Sequence, residues 1–193
     1  MKQISKKFVL FSLIISLMIF PNLALAKDNP EKLTDEQISN AVREIVKDKG
    51  SFTEPLIVNS GLVDPTDNTK IYFYIFPEAF NDARLLTDVS IQSVVPISSH
   101  TIPQGVKMVY SQSNGDPWTV SYYAKVGMSF STNQSSRTTM EYGHFNADTG
   151  QNLTVITGTS NFSYTSMAEA TRIRFFIQNS SATSVVVSGS ITF

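Results

Sequence analysis

Two histidines, His100 and His144, are the only imidazoles in this 193-residue chain, and it has no cysteine. Imidazole serves as general base or metal ligand, so the neighbours of each decide what it could do. His144 follows Glu141 and precedes Asp148, which together offer nitrogen and oxygen donors. On a strand, however, residues three apart point to opposite faces, and the spacing is not that of H-E-x-x-H. His100 lies in Ser98-Ser99-His100-Thr101-Ile102-Pro103, a loop by composition. Both histidines are therefore expected at the surface, with no metal centre and no cofactor.

Other chemistries are equally poor in signal. A glycosidase needs two carboxylates across a cleft, and the second half of the chain offers only Asp116, Glu141, Asp148 and Glu169. A secreted hydrolase built on Glu141 and Asp148 is accordingly the weakest of three functional readings. No G-x-S-x-G elbow, P-loop or G-x-G-x-x-G is present. Asp64, Thr66, Asp67 and Asn68 crowd one loop with oxygen donors, yet lack the acids and glycine of a calcium loop and read as a turn bonding its own backbone. The chain is expected not to be an enzyme.

What remains is aromatic. In NGDPWTVSYYAKVGMSFST, residues 114–132, Trp118, Val120, Tyr122, Ala124, Val126, Met128 and Phe130 share one parity of an alternating strand. Side chains alternate faces, so this set fills a core and includes the only tryptophan. Tyr123 has the other parity and stands with Ser121 and Lys125 on the polar face, where its ring is free to meet a sugar or a protein. Tyr123 is the first candidate for ligand binding, with an edge of Trp118 and Tyr110 as the rim.

The elements that would position these residues follow from local pattern. Residues 1–26 place Lys2, Lys6 and Lys7 before an apolar run ending at Phe20, then Ala24-Leu25-Ala26. That is the layout of a secretory signal peptide cut after Ala26, and the run is shorter than the roughly 20 residues that span a bilayer. A secreted, extracellular protein is expected, with the missing cysteines a hint of bacterial export. Taking those three lysines from a chain of formal charge −1 leaves −4. Nucleic acid, which demands a basic surface, is thereby disfavoured as a partner.

Residues 35–49 form the clearest helix. Thr34 and Gln37 make a capping box, Leu33 and Ile38 a staple, and Ile38, Ala41, Val42, Ile45 and Val46 one apolar stripe ended by Gly50. The division expected is a leader (1–26), a helical segment (27–50) and a β-rich domain (51–193). Within the last, 71–76 (IYFYIF) is apolar on both faces and suits a covered central strand. A helical turn is expected over 78–86. Strands are expected over 89–96, 106–111, 118–131, 137–146, 152–157, 161–164, 171–178 and 184–193, the last two as a closing hairpin. Such short strands, with Ser and Thr between apolar residues, predict a mainly β fold: an antiparallel β-sandwich or jelly-roll-like domain with one N-terminal amphipathic helix.

This texture favours a non-catalytic secreted module that binds a cell-envelope glycan or a protein surface. The alternative is a membrane-acting, pore-forming protein in which 118–132 and 136–146 rearrange into an amphipathic hairpin, spans long enough for a bilayer.

Overall fold

The computed structural model describes residues 33–81, 93–134 and 138–193. The expected leader (1–26), the helical turn beyond Asn81 and the starts of the strands expected from 89 and 137 lie outside these residues. One helix, α1 (Asp35–Lys49), precedes eleven strands among the described residues: β1 (Leu56–Val63), β2 (Lys70–Ile75), β3 (Val94–Ile102), β4 (Val106–Ser111), β5 (Trp118–Thr119), β6 (Lys125–Thr132), β7 (Met140–Asn146), β8 (Asn152–Gly158), β9 (Phe162–Met167), β10 (Arg172–Asn179) and β11 (Val185–Thr192). A 3-10 turn, Glu78–Phe80, follows β2.

The strands make two packed sheets. The large sheet runs β1-β2-β4-β10-β7-β8, with β5 also on β10, and the small sheet runs β3-β11-β6-β9. All pairs are antiparallel except β2 with β4, whose connection travels through β3 in the other sheet. The result is the expected sandwich, with one face of the large sheet covered by α1.

Alternation fills two cores from one sheet. On the inner face, Tyr74, Tyr110, Phe175 and His144 are register neighbours across β2, β4, β10 and β7. They meet Ile97, Ile102, Val126, Met128, Phe130, Val187 and Ile191 of the small sheet. On the outer face, Ile71, Phe73, Ile75, Val109 and Phe176 receive Ile38 and Val42 of α1. The run 71–76 is apolar throughout because both of its faces are covered.

The helix begins as its cap residues dictate. Gln37 N–H donates to Thr34 Oγ1 at 3.3 Å and Thr34 N–H to Gln37 Oε1 at 2.8 Å. Its seat on the sheet is polar as well as apolar. Arg174, on β10, is fully buried under α1. Its Nε donates to Asp35 in the first helical turn, Nη1 to Ser111 Oγ at 3.0 Å, and Nη2 to Ser39 Oγ at 2.9 Å and Gly115 O at 2.8 Å. Burial depresses the guanidinium's pKa, and the Asp35 charge counters that effect. Gly115 belongs to a loop (112–117) that bulges from between β4 and β5 to touch the helix. It has φ 80°, and a Cβ there would lie 2.7 Å from Ser39 O.

Two expected strands are divided differently. The run 118–131 breaks into β5 and β6, which lie in different sheets. The expected closing hairpin is an arch: β10 belongs to the large sheet and β11 to the small one. Asn179 turns the chain there, its Nδ2 donating to Ile102 O and Thr183 O, each at 2.9 Å, and its Oδ1 accepting from Ser181 N–H at 3.0 Å. Each strand finds more partners in its own sheet than a hairpin would supply.

Removing Asp35 strands a buried cation, which typically costs about 3–5 kcal/mol. Asp35→Ala is expected to lower stability by that order in urea unfolding. Arg174→Met should cost less, because Asp35 keeps Arg172 as a partner at 3.2 Å.

Candidate functional site

The outer face of the large sheet is covered by α1, whereas no described element covers the outer face of the small sheet. Alternation sends hydroxyls outward there. Ser190, Ser129 and Ser163 are register neighbours across β11, β6 and β9, and Ser188 stands opposite Ser131 with their Oγ atoms 3.5 Å apart. Thr192, Gly127 and Thr165 form the next row. Gly127 has no alternative, because a Cβ would lie 2.4 Å from Tyr164 O. Neighbouring strands lie about 4.8 Å apart, so the hydroxyls form a regular, nearly uncharged array. Lys125, paired with Met167 at its end, is the only ionic side chain among the described outward residues of these four strands.

Beyond Lys125 the chain crosses between sheets, and this crossing carries the aromatic feature. Val120 and Val126 are both core residues, so the turn 121–124 must span the gap between layers. Ala124 N–H donates to Ser121 O, Tyr123 N–H to Ala168 O, and Ala168 N–H to Ala124 O, at 2.8–2.9 Å. Tyr123 adopts φ 66° in this turn, a left-handed conformation that costs a bulky side chain about 1–2 kcal/mol. Tyr122 and Tyr123 are 54% and 66% exposed, and their rings meet edge to face with centroids 4.4 Å apart. The Tyr123 phenol raises the Tyr122 hydroxyl above its usual pKa, with smaller contributions from burial and Glu169, so Tyr122 remains a neutral donor. Exposed Met167 borders the pair's end of the array.

Of the three candidate residues, only Tyr123 is at the surface. Trp118 is 2% exposed, its ring 5.0 Å from Phe193 and 5.6 Å from Phe76, and Tyr110 is fully buried. Neither supplies a rim to Tyr123. Tyr122, placed in the core by parity, is instead exposed because the strand breaks between sheets. Alternation buries one of two consecutive tyrosines, so parity alone carried no signal that both would be exposed.

The remaining candidates are occupied structurally. Both histidines are buried in the inter-sheet core, against the expectation of surface imidazoles, because β3 and β7 turn them inward. Glu141 faces away from His144, as expected, and accepts from Ser180 Oγ at 3.4 Å. Asp148 pairs with Arg172, and Asp116 with Arg43 at 2.8 Å. In the oxygen-rich loop, Asp64 accepts from Thr66 N–H and Oγ1, and Asp67 from Thr69 N–H. Burial alone would raise the Asp64 pKa, but the Lys107 partner at 2.6 Å and the Thr66 bonds hold it below its usual value. No group of three or more potential metal ligands occurs among the described residues. Segments 118–132 and 136–146 do not pair as folded, since β6 and β7 lie in opposite sheets.

Compared with models of known protein families, with curated proteins and with solved structures, the chain matches none.

Tyr123→Gly removes the backbone strain and adds back about 0.5–1 kcal/mol of chain entropy. Its thermal unfolding temperature is expected to equal or slightly exceed that of the parent. A clear drop would mean that the ring contributes packing that its exposure conceals.

Proposed function

We propose that this protein is a secreted, non-catalytic β-sandwich module that binds an extended glycan of a cell envelope across the outer face of the small sheet. The observation that carries this reading is the set of Ser and Thr rows with the exposed Tyr122–Tyr123 turn one row beyond their end, past Lys125 and Met167. A polysaccharide offers two kinds of surface, ring C–H groups and hydroxyls. The tyrosine rings suit the first, since an aromatic face is apolar with a polar tip. The serine and threonine rows suit the second, because each hydroxyl both donates and accepts.

The energetics favour a ligand that repeats. A hydrogen bond exchanged with water is worth about 0.5–1.5 kcal/mol net, so one sugar on this flat face would bind weakly. A polymer engages successive rows at once, and its affinity gains from that multiplicity. Few charges cross the face, so binding should survive salt that would screen an ionic contact.

The test is co-sedimentation of the purified protein with isolated bacterial cell walls, cellulose and chitin, at low and at high salt. Binding to at least one, little changed by salt, is expected, and Tyr122→Ala with Tyr123→Ala should weaken it at least tenfold without lowering thermal stability. Retention of full binding by that double variant would remove the tyrosine corner from the site. Failure to sediment with any of the polymers would count against a glycan ligand altogether.

A further inference from the structure

The two sheets are joined across their shared core by side-chain hydrogen bonds as well as by apolar contact, and tyrosines and histidines make most of them. Tyr74 OH, from β2, accepts from Ser98 N–H of β3 at 2.8 Å. Tyr142 OH, from β7, donates to Asn161 O at 3.1 Å, just before β9. His100 Nε2, from β3, meets Tyr110 OH of β4 at 3.3 Å, and His144 Nδ1, from β7, meets Tyr164 OH of β9 at 3.0 Å. Each histidine thus reaches from its own sheet to a tyrosine of the other, and the two reach in opposite directions.

Both positions suit a neutral ring only. His100 Nδ1 lies 2.9 Å from Ser98 O, so it carries the proton, and Nε2 accepts from Tyr110 OH. A second proton on Nε2 would make the Tyr110 hydroxyl turn and accept, leaving the hydroxyl's own proton without an acceptor among the described residues in a buried position. His144 Nε2 is buried with no hydrogen-bond partner among the described residues, so a proton there would have no acceptor among them. The groups facing His144 are Tyr164 of β9, Phe175 of β10, Tyr142 of its own strand and Thr154 of β8. Those facing His100 are Tyr74 of β2, Tyr110 of β4 and Val187 of β11. None is a carboxylate. Arg174, next to Phe175 on β10, faces the opposite side of the large sheet, under α1.

We propose that His100 and His144 form an acid-released clasp, and that the sandwich opens along the seam between its sheets when the two rings take up protons. Burial supports the direction: it lowers the His144 pKa from 6.5 to about 4 and lowers that of His100 also. Between those values the open state binds protons that the closed state refuses, so closure weakens as pH falls. His144 alone lowers the closed-to-open ratio by up to about tenfold for each pH unit in that window, and His100 acts in the same direction. Opening would uncover Val126, Met128 and Phe130 of β6 and free that strand from the fixed sandwich. The proposal is independent of the glycan reading, whose surface lies on the outside of the small sheet.

The experiment is a titration of the full chain from pH 7.5 to 4, following the histidine ring protons by NMR and the Trp118 environment by near-ultraviolet circular dichroism. Both rings are expected to stay neutral until the tryptophan signal collapses, then to titrate together with that collapse and with the onset of hydrophobic-dye binding. The His100→Gln, His144→Gln double variant, which keeps a bond to each tyrosine but takes up no proton, should open at least one pH unit lower. A ring that titrates near pH 6.5 with the tryptophan signal intact overturns the proposal, as does an intact fold at pH 4. A double variant that opens at the parental pH would assign the transition to groups other than the two rings. Should the variant not fold at neutral pH, the ring-proton titration of the parent decides alone.

Discussion

A guanidinium with no access to water must have its charge and its donors answered by protein, and the answer to Arg174 organises one side of this molecule. Asp35 brings the helix start to β10, Ser39 sets its rotation, and Gly115 O draws in the loop between β4 and β5. Arg43 repeats the tie from the helix side, Nε donating to Asn114 O at 3.0 Å and Nη2 to Asp116. Gln112 closes the loop on itself through Pro117 O at 2.9 Å. The loop in turn delivers Trp118 to its place beside Ile173, and two residues later Val120 N–H bonds Thr171 O. The exposed tyrosines follow at once. A chain of contacts therefore runs from a buried charge under the helix to the aromatic corner at the edge of the other sheet.

That arrangement divides the surface chemically. Ionic side chains gather on the helix-covered side, in Asp35 with Arg172 and Arg174, Asp148 with Arg172, and Asp64 with Lys107. The bare face of the small sheet carries hydroxyls across β11, β6 and β9, with Val94 and Pro96 of β3 continuing the same rows at one side. The sequence shows only part of this partition: residues 27–88 hold twelve acids and residues 89–193 only four, yet Lys107, Asp148, Arg172 and Arg174 of the helix-covered side come from the second part. Hydroxyl rows also avoid the self-association that an apolar bare face would invite.

Local signals were legible where a local cause sufficed. The capping box placed the helix start because both of its bonds lie within four residues. The two-sided apolar run 71–76 told of a doubly covered strand, and parity placed Trp118, Val120, Val126, Met128 and Phe130 inside. Alternation along β10 sets Arg172, Arg174, Phe176 and Gln178 on one face, but no local pattern says that a helix buries Arg174 and Phe176 there. The break at Tyr122, the arch at Asn179 and the burial of both histidines share one cause. Each depends on which of two sheets a strand joins, and that choice is made by residues far away in sequence. The hydroxyl texture was visible; the register that makes Ser190, Ser129 and Ser163 a row was not, since their strands are separated by long intervals of chain.

The order of strands in the small sheet has a consequence for how the protein is made. β11, last of the described strands to leave the ribosome, lies between β3 and β6, and β3 pairs with no other described strand. Until it arrives, β3 has no edge to join among them and the Ser and Thr rows lack one of their three strands. Such late, long-range closure slows folding relative to a fold of local hairpins. Every strand of the large sheet precedes β11, so that layer can be complete while its inner face still waits for the chain's last strand to close the second layer over it.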